Sequence, residues 1–422
     1  MNITIAKMKV FNKKQAIFFS NNCYFFQNPY NIELTKLLQT KGYKLVFCVE
    51  KQLFPITKEY VNSKFIDWPS DLEHRIKILK NIKLSTNNFL QSFVNFNFRS
   101  FYYLTKHFLI TLNHLIQQLF INLKIMLKIT WEALGYKNRL FGNDEFGYLL
   151  LHELSIFIRK STKNFISHEL YFDDEIDPSI QFIKDRSHKV AINSDLILST
   201  DVERYKILLD NSKYQKELQN LDKICIPVGY HSFPIPKAIQ ECSNNILYTG
   251  TISATCGVDE IVELFSKNKR LFSYNIHFHS YHMYNKYKSF SFDNISFNCT
   301  PIAEPSEYIK FVSQFDIGLA LYFPDQNVGA HFGKNINFIG YSSGKFSLLA
   351  MLSIPIIVSA NNSFLKLKKS YDFGIVINSI SEIDKALDSI YSDYDRYSSE
   401  SRRMYEEILC PESKYEELSR LL

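Results

Sequence analysis

The chain has 422 residues, of which 46% are hydrophobic and 22% are charged, a balance typical of soluble globular proteins. Its formal net charge is +6 and it carries no nucleic-acid-binding motif, so we expect no nucleic-acid partner. The seven cysteines form no CxxC pair, which favours a reduced cytoplasmic protein. We also find no signal-peptide pattern and no apolar run of about 18 residues, so we predict no transmembrane helix.

The length predicts two domains, and the first begins with a β-α-β pattern. Residues 15–20 (QAIFFS) and 43–50 (YKLVFCVE) predict buried strands, with a helix between them that begins at Pro29 and ends at Gly42. This order is typical of a doubly wound α/β sheet. The loop at residues 21–23 lacks the glycines of a dinucleotide fingerprint, so we predict no such site there.

A long apolar and basic segment follows at about residues 72–134. Its apolar residues recur at helical spacing: Phe101, Leu104, Phe108, Leu112, Leu115 and Leu119. One interpretation is a helical insertion packed within the first domain. The alternative is an amphipathic surface that contacts a membrane, which would place the protein at the inner face of the plasma membrane. The sequence leaves both interpretations open.

Polar side chains follow the next predicted strands of this domain. Residues 140–146 predict a short strand that leads to a polar tip, which contains Asp144. His168 and Glu169 follow a second predicted strand at residues 164–167. Ligands of open α/β sheets bind at this carboxyl edge, and each of these side chains can accept a proton. A helix cap or a local ion pair is the structural alternative for His168 and Glu169. For Asp201 we favour a helix N-cap.

Residues 233–243 contain two prolines and are the best candidate for a linker. We therefore divide the chain into domains at residues 1–235 and 236–410, with a last helix at 411–422 that returns to the first domain. The second domain repeats the α/β pattern, with strands predicted at residues 245–250, 274–279, 316–322, 354–358 and 374–377. Its histidines lack partners at ligand spacing, so we predict no metal site at His277, His279 and His282.

The most informative stretch is residues 338–358 (FIGYSSGKFSLLAMLSIPIIV). Ser342 and Ser343 are good helix N-caps, and Gly344 lets a backbone approach a ligand closely. Lys345 falls in the first helical turn, where the helix dipole favours anions over cations. A phosphate bound between this lysine and the free N–H groups would explain its position. The alternative is an exposed lysine on an ordinary helix start. Pro355 opens a buried strand.

Several segments, in this order, resemble the GT-B glycosyltransferases of the family-4-like type. The resembling segments are residues 165–175 (FISHELYFDDE), 194–208 (SDLILSTDVERYKIL), 245–265 (NILYTGTISATCGVDEIVELF), 316–322 (DIGLALY) and 342–358 (SSGKFSLLAMLSIPIIV). The resemblance implies two Rossmann-like, doubly wound domains facing a cleft. It makes the first domain the acceptor side and the second the nucleotide-sugar donor domain.

The resemblance also implies roles for single residues. It makes His168, Glu169 and Asp144 candidate catalytic groups. It assigns the donor to Gly250, Thr251, Ser342, Ser343, Gly344 and Lys345, and it implies that no metal or other cofactor is required. At the places of the family's loop arginine and lysine this chain has Thr251 and Cys256. The family's glutamates would align near Gly340 and Leu348, and its glycine before the last strand is Ser353. Lys345 and its helix N-terminus are therefore the main candidates for holding the donor diphosphate.

The implied activity is that of a hexosyltransferase-like enzyme using a nucleotide-sugar donor. The acceptor would be a surface-glycan precursor of the capsule or lipopolysaccharide type, free or lipid-linked, reached by peripheral membrane contact. Two alternatives remain. One is a non-catalytic GT-B-like binding or scaffold protein of a glycan assembly complex. The other is a GT-B nucleotide-sugar epimerase.

Overall fold

The computed structural model describes much of the chain. The described residues are 14–20, 28–49, 63–67, 127–129, 133, 136–155, 158, 161–168, 170–172, 174, 176, 178–230, 243–250, 252, 254–280, 287, 292–298, 300, 302, 305–324 and 333–421. Ser243 is the one described residue of the predicted linker at 233–243. Almost all of the predicted helical insertion at 72–134 lies outside the described ranges, as do Glu169, Thr251 and His282.

The described strands are β1 (Lys14–Phe19), β2 (Tyr43–Val49), β3 (Lys64–Asp67), β4 (Lys137–Asn143), β5 (Ser161–Ser167), β6 (Leu196–Ser199), β7 (Lys223–Cys225), β8 (Asn245–Thr249), β9 (Asn275–His279), β10 (Ile295–Asn298), β11 (Ile317–Ala320), β12 (Ile356–Ser359) and β13 (Gly374–Ile377). The described α-helices are α1 (Pro29–Thr40), α2 (Asp144–Ser155), α3 (Pro178–Ala191), α4 (Val202–Asp210), α5 (Gln215–Gln219), α6 (Val258–Lys267), α7 (Pro305–Val312), α8 (Gly344–Met351), α9 (Asn362–Lys368), α10 (Ile383–Ser392), α11 (Tyr394–Met404) and α12 (Glu412–Leu421).

The first sheet has seven described strands in the order β3-β2-β1-β4-β5-β6-β7. Strand β1 pairs in parallel with β2 on one side and with β4 on the other, with Lys14 opposite both Tyr43 and Lys137. The inner residues of β1 and β2 are buried on both faces, as expected for a parallel sheet covered by helices. The chain changes direction across the sheet between β1 and β4, which makes this edge a topological switch point.

The second sheet has six described strands in the order β10-β9-β8-β11-β12-β13, and each neighbouring pair is parallel. One face packs against residues of α8 and α9, including Phe346, Leu348 and Phe364. The other face packs against residues of α6 and α10, including Ile261 and Leu387. The strands are short and apolar because a core covers each of their faces.

The chain folds into two compact units, each assembled from segments that are separate along the sequence. The first consists of Met1–Cys23, Leu38–Pro55 and Asn62–Asn164. The second consists of Tyr24–Leu37, Ile56–Val61 and Phe165–Leu422. Within the second unit, the last helix α12 contacts β7, a strand of the first sheet.

The sequence located the central strands of the second sheet and the start of α8, but it missed the four-residue edge strands β3 and β10. In β10 only Ile295 is buried, so this strand has no continuous apolar run to identify it. Ser353 adopts a left-handed backbone with φ of 61°. The resembled family has a glycine at this place. The turn after α8 therefore has a left-handed residue here, although serine adopts that conformation less readily than glycine.

No helix among the described residues combines the length and the apolar character that crossing a bilayer requires.

Candidate functional site

Helix α8 starts as the sequence predicts. Ser343 is its N-cap, with φ and ψ of −86° and 101°, and its Oγ accepts a hydrogen bond from the Phe346 N–H at 3.3 Å. An apolar run then continues the helix until Leu352, and the left-handed Ser353 ends it. Lys345 therefore lies in the first turn, beside N–H groups that have no partner within the helix.

The Lys345 side chain is half-buried between two tyrosine rings. Its Nζ lies 4.4 Å from the ring centroid of Tyr248 and 4.5 Å from that of Tyr322. It also donates a hydrogen bond to the Tyr248 hydroxyl at 3.4 Å. No carboxylate forms an ion pair with it in the described part of the chain. Burial lowers the pKa of Lys345, and the neighbouring Cys256 thiol partly opposes this change.

The turn after β8, which contains Gly250, lies beside the Lys345 side chain. Gly250 has a φ of 107°, a conformation that favours glycine, and a Cβ on it would lie 3.9 Å from the Lys345 Nζ. Two segments about 95 residues apart thus converge on one ammonium group.

Ser342 lies in the turn before α8 and is partly exposed. Gly344 packs elsewhere, since a Cβ there would lie 3.3 Å from Pro29 Cδ and 3.6 Å from Val228 Cγ1.

Tyr248 and Tyr322 are site residues that the sequence did not single out. The Tyr322 hydroxyl is 2.7 Å from the Ser343 Oγ, so it contacts the cap of α8. Its backbone N–H donates to the Ser359 Oγ at 2.8 Å, and that hydroxyl donates back to the Tyr322 carbonyl at 2.7 Å. These bonds join the ends of β11 and β12 to the start of α8.

Asp144 occupies a sharp strand-to-helix turn in the first unit. It follows the last residue of β4 directly and begins α2 with a φ of 58°, which makes it one of three described non-glycine residues with positive φ. Its side chain is buried, and its Oδ2 accepts a hydrogen bond from the Asn143 amide at 2.9 Å. Backbone conformations of this kind are costly and concentrate at functional sites. The turn lies at the switch point between β1 and β4.

The glycines around Asp144 allow this close packing. A Cβ on Gly142 would lie 2.4 Å from the Tyr148 Cα, and a Cβ on Gly147 would lie 2.4 Å from the Phe19 carbonyl oxygen. Helix α2 therefore packs directly against β1 and β4, and the Asp144 carboxyl at its start accepts the hydrogen bond from the Asn143 side-chain amide. This geometry suits a carboxylate that must hold one orientation toward a ligand.

His168 lies in the second unit and is only 7% exposed. Its Nε2 is 3.4 Å from the Asn31 Oδ1, its ring meets the Tyr30 ring edge-on at 4.7 Å, and its carbonyl accepts a hydrogen bond from Arg204. Burial, and then the Arg204 guanidinium, lower the pKa of His168 to about 3. The imidazole is therefore neutral at physiological pH and is already packed against its own partners. Its catalytic role stays a prediction.

We expect His168 to make the protein acid-sensitive. The unfolded imidazole binds a proton below its ordinary pKa of 6.5, whereas the native one binds it only near 3. Protons therefore favour the unfolded state as pH falls below 6.5, and the free energy of unfolding drops by roughly 2–3 kcal/mol between pH 7 and pH 4.5 from this group alone. Urea denaturation of the wild type and of His168→Gln checks this. The difference between the two proteins should change with pH, and parallel pH curves would contradict the assignment.

Asp201 has the structural role that the sequence favoured, and Arg204 beside it is structural as well. The Asp201 Oδ1 accepts the Arg204 N–H at 2.8 Å as the N-cap of α4. The buried Arg204 guanidinium donates to the carbonyl of His168 and, at 3.4 Å, to that of Phe338. It therefore links the loop after β5 to the segment that leads into α8.

The histidines of β9 take separate environments. The His277 Nδ1 is 2.6 Å from the Ser296 Oγ, whereas His279 packs against the rings of Tyr308 and Phe311. In the described residues no group of three His, Cys, Asp or Glu side chains is arranged to hold a metal ion.

The sequence matches no family model and no curated protein. The structure, by contrast, is similar to several solved proteins. Sucrose-phosphate synthase from Thermosynechococcus elongatus is 11% identical with a TM-score of 0.61, over 97% of this chain and 98% of that one. HepE from Anabaena, solved with UDP and glucose, is 7% identical with a TM-score of 0.62, over 96% and 98%. Trehalose-6-phosphate synthase OtsA is 11% identical with a TM-score of 0.57, over 97% and 99%.

These proteins are GT-B glycosyltransferases, and the present chain has their fold, with two parallel sheets and interleaved helices. The fold expected from the resembling segments is confirmed. At these identities the similarity establishes the fold, and the activity has to be argued from the site itself.

Proposed function

We propose that this protein is a glycosyltransferase that moves a sugar from a nucleotide-sugar donor to a surface-glycan precursor. The observation that carries the proposal is the Lys345 ammonium, which lies beside the Gly250 turn at the start of α8 with no carboxylate partner among the described residues. A cation next to free helix N–H groups is suited to stabilising a leaving diphosphate. The donor would bind Gly250, Ser343 and Lys345.

A UDP-sugar is the first donor to test. HepE was solved with UDP-glucose, and trehalose-6-phosphate synthase from E. coli was solved with UDP-2-fluoroglucose. The fold shared with these proteins makes the same class of donor reasonable here. Asp144 is our candidate for the group that orients or deprotonates the acceptor hydroxyl, because its carboxyl is fixed at a strained strand-to-helix turn. His168 and Glu169 remain further candidates.

The acceptor proposal is a capsule- or lipopolysaccharide-type precursor at a membrane surface. It rests on the apolar, basic segment at residues 72–134 and on the net charge of +6, which favours anionic surfaces. We propose that protein groups replace a metal ion in this chemistry. Transfer to the acceptor should therefore persist in EDTA.

A calorimetric and thermal-shift panel of nucleotide sugars tests the proposal. We expect UDP-glucose or a related donor to bind and to raise the melting temperature by mass action, and we expect slow release of UDP with water as acceptor. Both measurements are made with and without EDTA. Absence of binding by every nucleotide sugar would contradict the proposal.

The binding or scaffold alternative is favoured by the residues that stand at the places of the family's charged groups. Leu348, at the place of a family glutamate, is 2% exposed and belongs to the core, and Cys256 and Thr251 carry no charge. Binding of a nucleotide sugar without UDP release would support this alternative. Conversion of the bound sugar into its epimer would identify an epimerase.

A further inference from the structure

Lys345 has an incomplete set of partners. Its ammonium has three N–H donors, and the described residues offer it the Tyr248 hydroxyl at 3.4 Å and no carboxylate. A cation partly withdrawn from water needs compensating interactions to stay charged. The protein therefore supplies something other than a negative charge at this position.

The two tyrosine rings supply that compensation. Both centroids lie within 4.5 Å of the Nζ, well inside the distance of about 6 Å at which a ring face attracts a cation. A ring face attracts the ammonium without neutralising it, whereas a carboxylate would cancel its charge. Lys345 thus remains able to attract an anion from solution.

Both rings are fixed by the surrounding structure. Tyr248 is fully buried in β8 and packs against the Phe278 ring at 5.6 Å. Tyr322 is held by its hydroxyl at Ser343 and by its backbone at Ser359. The two rings therefore offer the Lys345 ammonium a fixed pair of surfaces.

We propose that Tyr248 and Tyr322 are positioning residues that hold the Lys345 ammonium beside the Gly250 turn, where the phosphate of a nucleotide completes its set of partners. This inference rests on the proposed function. It deepens that function by naming the phosphate, rather than the base or the sugar, as the group that the two tyrosines help to recognise.

The test compares Tyr322→Leu with Tyr322→Phe in calorimetric titrations with UDP and with inorganic pyrophosphate. Both variants lose the hydroxyl contact to Ser343, but only leucine removes the ring face. We expect Tyr322→Leu to weaken both ligands by about 2- to 30-fold and Tyr322→Phe to weaken them by less than about 2-fold. Equal losses in the two variants would overturn the role of the ring.

The pH dependence separates positioning from general folding. UDP affinity should fall as the pH rises through the pKa of Lys345, which burial has lowered. Leucine keeps the site buried but removes the attraction for the cation, so the fall should occur at lower pH in Tyr322→Leu than in the wild type. The Tyr322→Phe profile should match the wild type, and superimposed profiles for all three proteins would contradict the proposal.

The remaining outcomes are also decisive. If the wild type binds UDP and the variants do so equally well, the positioning role of the tyrosines is wrong while the proposed function stands. If the wild type binds neither UDP nor pyrophosphate, both the proposed function and the proposed binding of a phosphate at this site are wrong. In that case ¹³C NMR of methylated lysines, assigned with Lys345→Arg, still measures whether Tyr322→Leu lowers the pKa of Lys345. If Tyr322→Leu does not fold, Tyr322→Met provides the same comparison.

Discussion

Replacing Lys345 by alanine is expected to weaken UDP-glucose binding by about 10- to 150-fold. The variant loses a charge-assisted contact with the donor phosphate, which is worth about 1.5–3 kcal/mol. Calorimetry measures the loss directly. Pyrophosphate binding should weaken by a similar factor, because the contact is to the phosphate.

The fold of Lys345→Ala should survive. The side chain is half-buried, forms no ion pair within the described residues and sits at a helix start where a cation is disfavoured. Lys385→Ala is the matched control, since Lys385 is an exposed lysine on α10 in the same unit and its loss should leave donor affinity unchanged. Unchanged affinity in Lys345→Ala would mean that residues 338–358 do not hold the donor.

Replacing Leu348 by glutamate is expected to destabilise the protein by about 4 kcal/mol or more. This change restores the residue type of the resembled family, but Leu348 is 2% exposed in the core on one face of the second sheet. The variant loses a buried leucine and places an unpaired carboxylate in apolar surroundings. Urea denaturation at pH 7 measures the effect.

Two comparisons identify the cause of that loss. Leu348→Met keeps the volume and the apolar character, so it should cost less than about 1.5 kcal/mol. The penalty of Leu348→Glu relative to wild type should be smaller at pH 4.5 than at pH 7, because a protonated carboxyl is easier to bury. A stable Leu348→Glu protein that binds the donor more tightly would show that this side chain points into the donor site.

The sequence predicted those parts of the site that depend on neighbours along the chain. The cap at Ser343 and the strand that ends at Ser359 follow from local residue types, and so does the cap at Asp201. These features depend on hydrogen bonds and apolar runs within a few residues. Local physics was enough to place Lys345 at a helix start.

The two tyrosines around Lys345 depend on contacts that no local pattern reveals. Tyr248 meets Lys345 across 97 residues, and Tyr322 is one of 26 tyrosines in a chain rich in aromatic residues. For His168 the local pattern suggested a role that the folded structure does not favour. Its position after a strand suggested a base near neutral pH, but burial against Asn31 and Arg204 lowers its pKa to about 3. Burial is a property of the folded chain and not of the motif.

Helix α8 is enclosed by the core along its whole length after Lys345, with every residue from Phe346 to Met351 buried. Its backbone is therefore ordered by packing, without help from a ligand. A nucleotide that binds at its start meets an ammonium already in place and loses little free energy to ordering the protein. The entropic cost of ordering the site is thus part of folding and not of binding. Differences in affinity among nucleotides should therefore appear mainly in their dissociation rates.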